Sequence, residues 1–342
     1  MTTQKELAKL AGVSAGTVSN VISGSTRVSE AARRKVLEAI RVLKYQPNLI
    51  ARSLKTNRTN TLGIIVPDIT IPFFPKIIRG AEAAARERGY FLIVLDSQRS
   101  HDLEIDMLGL LRQRVDGILL VTAGESKWSA ERAAAIAAGP PVVCVDRLPV
   151  GLDTDTVCVD DSGAAELGVK HLLSLGHRQI AVITGPLTLR NEQERLRGYR
   201  RAMKAARLPT DSSLIWSASF DADDIHAVCQ RGLLRQKPKP TALFATNGLT
   251  GMCALKSLYS LGFTTPGSIA FVTFDELIEE DFFQPRITSI VQPTYAIGHK
   301  AVEVLFDRIA RVDNTEGISS IRLPATLVVR DSSRLQLAAR PR

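Results

Sequence analysis

From residue 62 onward, short apolar runs alternate with stretches of helical period, and the alternation is run through twice. The first series places strands at 62–66, 91–95, 117–121, 142–145 and 156–159, with helices at 74–88, 102–113 and 130–138 between them. The second places strands at 179–184, 214–217, 242–245, 269–274 and 289–291, with helices at 164–175, 192–206, 223–235 and 248–261. A helix at 295–310 and a strand at 321–329 follow. Strands joined through helices run parallel, because a crossover returns the chain to the same end of the sheet. The strands are too many for one doubly wound sheet. Two α/β lobes with parallel sheets are therefore expected, with a small-molecule cleft between them.

Composition sets outer limits on this reading. The 342 residues are 45% hydrophobic and 23% charged, the balance of a folded globular chain. No apolar run approaches the ~20 residues of a membrane helix, so no membrane partner is expected. The opening MTTQKE lacks the apolar core of an export signal, which points to the cytoplasm. Cys144, Cys158, Cys229 and Cys253 lie far apart without CxxC spacing and read as buried thiols. No metal or cofactor is expected.

The charge gathers where the alternation is missing. Of 44 Lys+Arg and 35 Asp+Glu, residues 1–60 hold 11 and 3, a net of +8, while residues 61–342 hold 33 and 32, a net of +1. A polyanion is the natural partner of such a segment. Thr3 and Glu6 form a capping box for a helix starting at Gln4, with Leu7, Ala8, Leu10 and Ala11 on its apolar side and Gly12 ending it. Ser14 can cap a second helix that turns Val18, Val21 and Ile22 inward; Ser29 can cap a third carrying Ala32, Val36, Ile40 and Leu43. A small Ala8 at the crossing and Gly12 in the turn meet the steric demands of a helix-turn-helix, whose second helix enters the major groove. The alternative, a small helical bundle that binds another protein, accounts less well for the charge. Pro47-Asn48 breaks the chain, Asn48 can cap a brief helix at 49–55, and the polar residues 57–61 read as a linker.

Residues 3–22 and 28–54, with AGVSAGTVSNVI, VLKYQPN and ARSLK, resemble the lac-repressor (LacI/GalR) family of bacterial transcription regulators. The likeness continues through IPFF at 71–74, RLRGY at 195–199, TPGSIAFVTFDE at 265–276 and ITSIVQP at 287–293. It implies an all-α helix-turn-helix headpiece at 1–46 and a hinge helix with linker at 47–61. Residues 62–342 would form a two-lobed effector-binding and dimerisation domain similar to periplasmic sugar-binding proteins. One lobe would take about 62–160 plus 293–320, the other about 161–290 plus 321–335. The implied partners are a palindromic operator DNA, a sugar-like effector and a second copy of the chain. By this resemblance Ala15, Gly16 and Asn20 meet base edges. Asn20 stands where Arg is common, and Asn pairs bidentately with adenine, so an uncommon half-site is expected. Ser14, Thr17 and Ser19 would touch phosphates. Leu54 matches the hinge leucine that wedges into the minor groove, flanked by Asn48, Arg52, Ser53 and Lys55 against sugar and phosphate.

The strand ends of the two lobes carry the candidate ligand site. Phe73 and Phe74, Asp146 and Arg147, Phe220, Asn247 and Asp275 each follow a predicted strand. Any one alone reads as a turn or a helix cap. Together, Phe73, Phe74, Phe220 and Phe274 can cover the C–H faces of a sugar ring. Asp146, Arg147, Arg195, Asn247 and Asp275 suit vicinal hydroxyls. These positions resemble the pentose- and hexose-binding members of the family, with Gln292 at the lobe crossover. Ile71, Asp161 and Gly248 depart from the usual pattern, and Arg190 with Arg195 keeps open a sugar acid or phosphosugar; a nucleobase is a further alternative. A sugar-metabolising enzyme with a DNA-binding head is the rival from another class, against which GxxxxGK[ST], GxGxxG and HExxH are absent. The close of the chain, SSRLQLAARPR, lacks sustained heptads, so a dimer without a coiled coil is expected.

Overall fold

The structure, a computed structural model, describes residues 3–22, 27–45, 58–124, 128, 130–147, 151–277, 284–310 and 317–334. The chain divides into two compact units, Met1–Thr59 and Asn60–Arg342. In the first, α1 (Gln4–Ala11), α2 (Ala15–Ile22) and α3 (Glu30–Val42) enclose Leu7, Val18, Val21, Val36 and Tyr45. The expected caps are formed. Thr3 Oγ1 accepts the Glu6 N–H at 3.3 Å while the Glu6 carboxylate accepts the Thr3 N–H at 2.7 Å, and Gly12 ends α1 at φ 63°. Ser29 accepts the Ala32 N–H to start α3. The expected hinge helix at 49–55 lies outside the described residues.

The second unit holds two six-stranded sheets. Its elements run β1 (Thr61–Val66), α4 (Phe73–Glu87), β2 (Phe91–Asp96), α5 (His101–Leu111), β3 (Gly117–Leu120), α6 (Ala130–Ala137), β4 (Val142–Val145) and β5 (Asp155–Val159) in the first pass. The second pass runs α7 (Asp161–Ser174), β6 (Ile180–Thr184), α8 (Arg190–Ala205), β7 (Ile215–Ser217), α9 (Ala222–Arg235), β8 (Ala242–Ala245), α10 (Gly248–Ser260), β9 (Ala270–Phe274) and β10 (Thr288–Val291). Then come α11 (Thr294–Ala310), β11 (Ser320–Leu323) and β12 (Thr326–Val328). The orders are β2-β1-β3-β4-β5-β11 and β7-β6-β8-β9-β10-β12. Both sheets reverse direction of winding beside their central strand, between β1 and β3 and between β6 and β8, where open α/β sheets bind ligands. Helices cover both faces of each sheet, which is why β3, β4, β6, β8 and β9 are apolar along nearly their whole length and buried throughout.

One expectation is corrected. The single strand read at 321–329 is two strands in different sheets: β11 runs parallel to β5, and β12 antiparallel to β10. Pro324-Ala325 carries the change of sheet, so this last passage between lobes falls at 324–325 and not near 320. The chain crosses between lobes twice more, around Asp160 and at Gln292-Pro293. In the first lobe α4 and α11 cross in backbone contact: a Cβ on Gly80 would strike the Tyr295 carbonyl, and one on Gly298 the Ile77 carbonyl. Only glycine fits at either place.

Candidate functional site

In the headpiece, Val18 and Val21 turn inward and leave Ala15, Gly16 and Asn20 exposed on one face of α2, with Thr17 and Ser19 half-buried beside them. Ser14 Oγ accepts the Thr17 N–H at 3.1 Å and so caps the helix. Residues 12–16, Gly-Val-Ser-Ala-Gly, have the GxSxG spacing of a nucleophile elbow. They run from the end of α1 into the first turn of α2 with no strand before them, and the serine is a cap. Asn48, Arg52, Ser53, Leu54 and Lys55 fall outside the described residues.

The interlobe cavity, of ≈ 190 Å³, is lined from both sheets. The first lobe supplies Phe73 and Phe74 at the start of α4, packed edge to face at 5.3 Å, and Asp146 and Arg147 after β4. The second lobe supplies Arg195 from α8, Phe220 after β7, Asn247 after β8 and Asp275 after β9. Phe274, wholly buried, lies outside the lining: its ring lies under the Arg195 guanidinium at 3.8 Å. Gln292 is also outside and donates through Nε2 to Asp275 Oδ1 at 2.7 Å. Arg190 is exposed and does not reach the cavity; its neighbours Asn191 and Glu192 do.

Asp146 and Asp275 occupy matching places, following β4 and β9, each the second strand beyond the switch point of its sheet, and each has left-handed backbone at φ 62° and 69°. Asp275 Oδ1 accepts from Gln292 and Oδ2 accepts the Gly248 N–H at 3.3 Å. The Asp146 carboxylate accepts no hydrogen bond among the described residues; Arg147 and Arg195 stand 4.0 Å away. Burial pushes the Asp146 pKa up to about 6, against the pull of those two cations.

Arg195 is spoken for. Its Nε donates to Asp161 Oδ1 at 2.7 Å and its Nη1 to the Thr246 carbonyl at 2.8 Å, and Glu192 lies at 3.9 Å. Burial works against its charge, but Asp161, Asp275, Glu192 and Asp146 outweigh burial and raise its pKa. Asp161 is pushed by burial up to about 7 despite the Arg195 contact. Glu192 collects the Gly185 N–H, the Thr246 hydroxyl and, at 3.0 Å, Asn247 Nδ2. Asn247 is also the cap of α10, accepting the Thr250 N–H at 2.8 Å. Arg147 Nη1 donates to the Thr122 carbonyl at 3.1 Å, and behind that loop the buried Glu104 takes the Thr122 hydroxyl and the Ala123 N–H.

Among the lining residues that escaped the sequence are three polar ones, Asn191, Glu192 and Arg99. Asn191 and Glu192 stand four and three positions before Arg195, a spacing that puts all three on one helix face and was a usable signal. Arg99 had no such signal. It reaches the cleft because Gln98 and Arg99 both adopt left-handed backbone, φ 51° and 60°, which lays its guanidinium 5.7 Å over Phe220 while Asp68 holds it at 2.5 Å. Of the groups left aside, His177 is buried with Nδ1 3.0 Å from Thr241 Oγ1, and Asp221 caps α9. The cavity lining holds no histidine, cysteine, serine or lysine among the described residues. Aromatic walls, one carboxylate without a hydrogen bond among the described residues, one held by two, and an internally engaged arginine form a place to bind a molecule. No helix among the described residues is long and apolar enough to cross a membrane.

Residues 59–331 match the family described as periplasmic binding proteins and sugar binding domain of LacI family, and residues 3–48 match bacterial regulatory proteins, lacI family. The HTH-type transcriptional repressor PurR of Mannheimia succiniciproducens is 32% identical over 97% of this chain and 98% of its own. The ribose operon repressor of Escherichia coli K12 is 34% identical over 91% of this chain and 94% of its own. The solved structure of the transcriptional regulator CelR-cellobiose complex is 33% identical, covers 97% of this chain and 100% of its own, and superposes with a TM-score of 0.72. A DNA-reading headpiece joined to a ligand-binding two-lobed body is the common plan, and this chain belongs to the LacI family of bacterial DNA-binding transcription regulators, not to the enzymes.

Proposed function

We propose that this protein is a homodimeric repressor of the bacterial cytoplasm whose affinity for a palindromic operator is set by a neutral, polyhydroxylated effector, a sugar or sugar derivative, held between the lobes. The observation that carries the reading is the pair of matching carboxylates. Asp146 and Asp275 offer acceptors from opposite lobes to hydroxyl donors, with Phe73, Phe74 and Phe220 as apolar walls for the ring. The same lining weighs against a sugar acid or phosphosugar. It carries four carboxylates, Asp146, Glu192, Asp275 and Glu276. Of its three guanidiniums Arg99 is paired with Asp68 and Arg195 with Asp161, which leaves Arg147, whose Nε has no hydrogen-bond partner among the described residues, as the group an anion would meet. The names of the relatives, a ribose operon repressor and a cellobiose complex, agree with a sugar ligand and with repression.

On the DNA side, the working division is a headpiece at 1–46, a hinge and linker at 47–61 and the effector body from 62. Asn20 reads the base edge that sets the half-site, and Leu54 wedges the operator centre. A ligand that contacts both lobes favours one closure angle and couples to the hinge by about 1–3 kcal/mol. A thermal-shift screen of neutral sugars, sugar acids, phosphosugars and nucleobases tests the effector class, followed by operator titration with each hit. Neutral sugars should raise the melting temperature and change operator affinity. Stabilisation by nucleobases or acids alone sinks the sugar reading. Leu54→Ala should weaken operator binding without touching effector affinity, and unchanged operator affinity in a gel-shift titration would remove the wedge.

A further inference from the structure

Beside the effector cavity lies a second one, of ≈ 410 Å³, at the point where the chain crosses from β10 to α11. The two share a wall: Pro72, Phe73, Asp275 and Glu276 line both. Its far side is built from Gln292, Thr294, Tyr295 and Ala296, with Lys76 opposite. Gln292 is 5% exposed, and its amide orientation is fixed because Nε2 must be the end that faces the Asp275 carboxylate; Oε1 is left as a buried acceptor without a partner. Tyr295 is 48% exposed and stacks on His299 at 6.3 Å, so the ring is held while much of its surface stays open. Lys76 Nζ donates to Glu276 Oε2 at 3.4 Å across the lobes. Donors, acceptors and an aromatic face within one cavity are what a hydroxylated ring asks for.

We infer that this cavity is a second ring subsite, and that the effector is a glycoside of at least two units, one ring between Asp146 and Asp275 and the next over Tyr295. The inference rests on the sugar reading of the main cavity and adds the length of the ligand to it. Pro72, Phe73, Asp275 and Glu276 stand between the two cavities, and a two-unit ligand would have to place its bridging oxygen beside them. Asp275 then serves both rings at once, which accounts for its being locked by Gln292 and Gly248 where Asp146 is not.

The test is calorimetric titration of the full-length protein with D-glucose, D-galactose and D-ribose. The same titrations are run with cellobiose, maltose, lactose and the methyl glycosides of the three monosaccharides. At least one two-unit ligand should bind about tenfold more tightly than its own monosaccharide, the effect of one added aromatic contact. Tyr295→Ala should remove that advantage and leave monosaccharide affinity within about twofold. Ala296→Trp, which fills the cavity from an exposed position, should do the same. Monosaccharides binding as tightly as every two-unit ligand would overturn the subsite and leave the sugar reading standing. Equal losses for one- and two-unit ligands in both variants would do likewise. Binding of none of these sugars would overturn the sugar reading and the subsite together.

Discussion

The two lobes repeat one plan through their first five strands, and differ in what they do with it. Each places an aspartate with left-handed backbone after the same strand, Asp146 in one lobe and Asp275 in the other. Asp275 is held from two sides by hydrogen bonds, whereas Asp146 stands among charges without one. The second lobe also supplies the Arg195 cluster, and the first supplies the Phe73–Phe74 pair. A shared backbone device thus gives one pre-set acceptor and one adjustable acceptor. We expect the second lobe to be the more rigid and the first to respond to the occupant.

The largest expected effect tests that rigidity. Arg195→Leu leaves Asp161 and Glu192 buried without their cation, and removing one partner of a buried ion pair costs about 3–5 kcal/mol. Urea unfolding should show the loss; a change under 1 kcal/mol would mean that the cluster does not hold the lobe. Next come the two aspartates. Either one changed to Asn should weaken the effector by about 10- to 100-fold, the worth of a hydrogen bond to a charged group. Stability should separate them: Asp275→Asn lowers it by about 1 kcal/mol, and Asp146→Asn leaves it level or raises it. If both variants lose equal stability, the contrast between the lobes is broken.

The pH dependence sharpens the same contrast. Hydroxyl donors favour the ionised Asp146, so effector affinity should rise as pH passes through about 6, and the rise should vanish in Asp146→Asn. Folding stability runs the other way. Asp146 and Asp161 titrate at about 6 and about 7 in the folded protein, above the ~3.9 of an unfolded aspartate. The folded state therefore holds protons that the unfolded state releases. The stabilisation present below about pH 4 is lost as pH rises through those two values. The smallest effect belongs to Arg99: Arg99→Ala removes a partly exposed cation–π contact with Phe220 worth about 0.5–1 kcal/mol, a loss that urea unfolding should read.

Much of this architecture was legible beforehand because strands buried on both faces and helices of fixed period leave strong signals. The strand end at 321–329 was not, since SIRL and TLV read as one apolar run and only Pro324 marks that they part company. In the cleft, residues that follow strands were found by position. Glu192 and Asn191 sit in a helix start and act through side chains, and Arg99 depends on two left-handed residues that composition does not announce. Arg190, kept as a partner for an acidic ligand, opens α8 on its exposed side, while Asn191 and Glu192 after it line the cavity.

The three passages between the lobes follow neighbouring strands: β5 lies beside β11, and β10 beside β12. A single tether would let one lobe swivel in any direction. Three side by side leave one easy rotation, about the line they mark out. Whatever molecule fills the cleft can then report itself only as a position along one arc. The walls are thereby free to change their chemical preference, while the motion between the lobes keeps the same form.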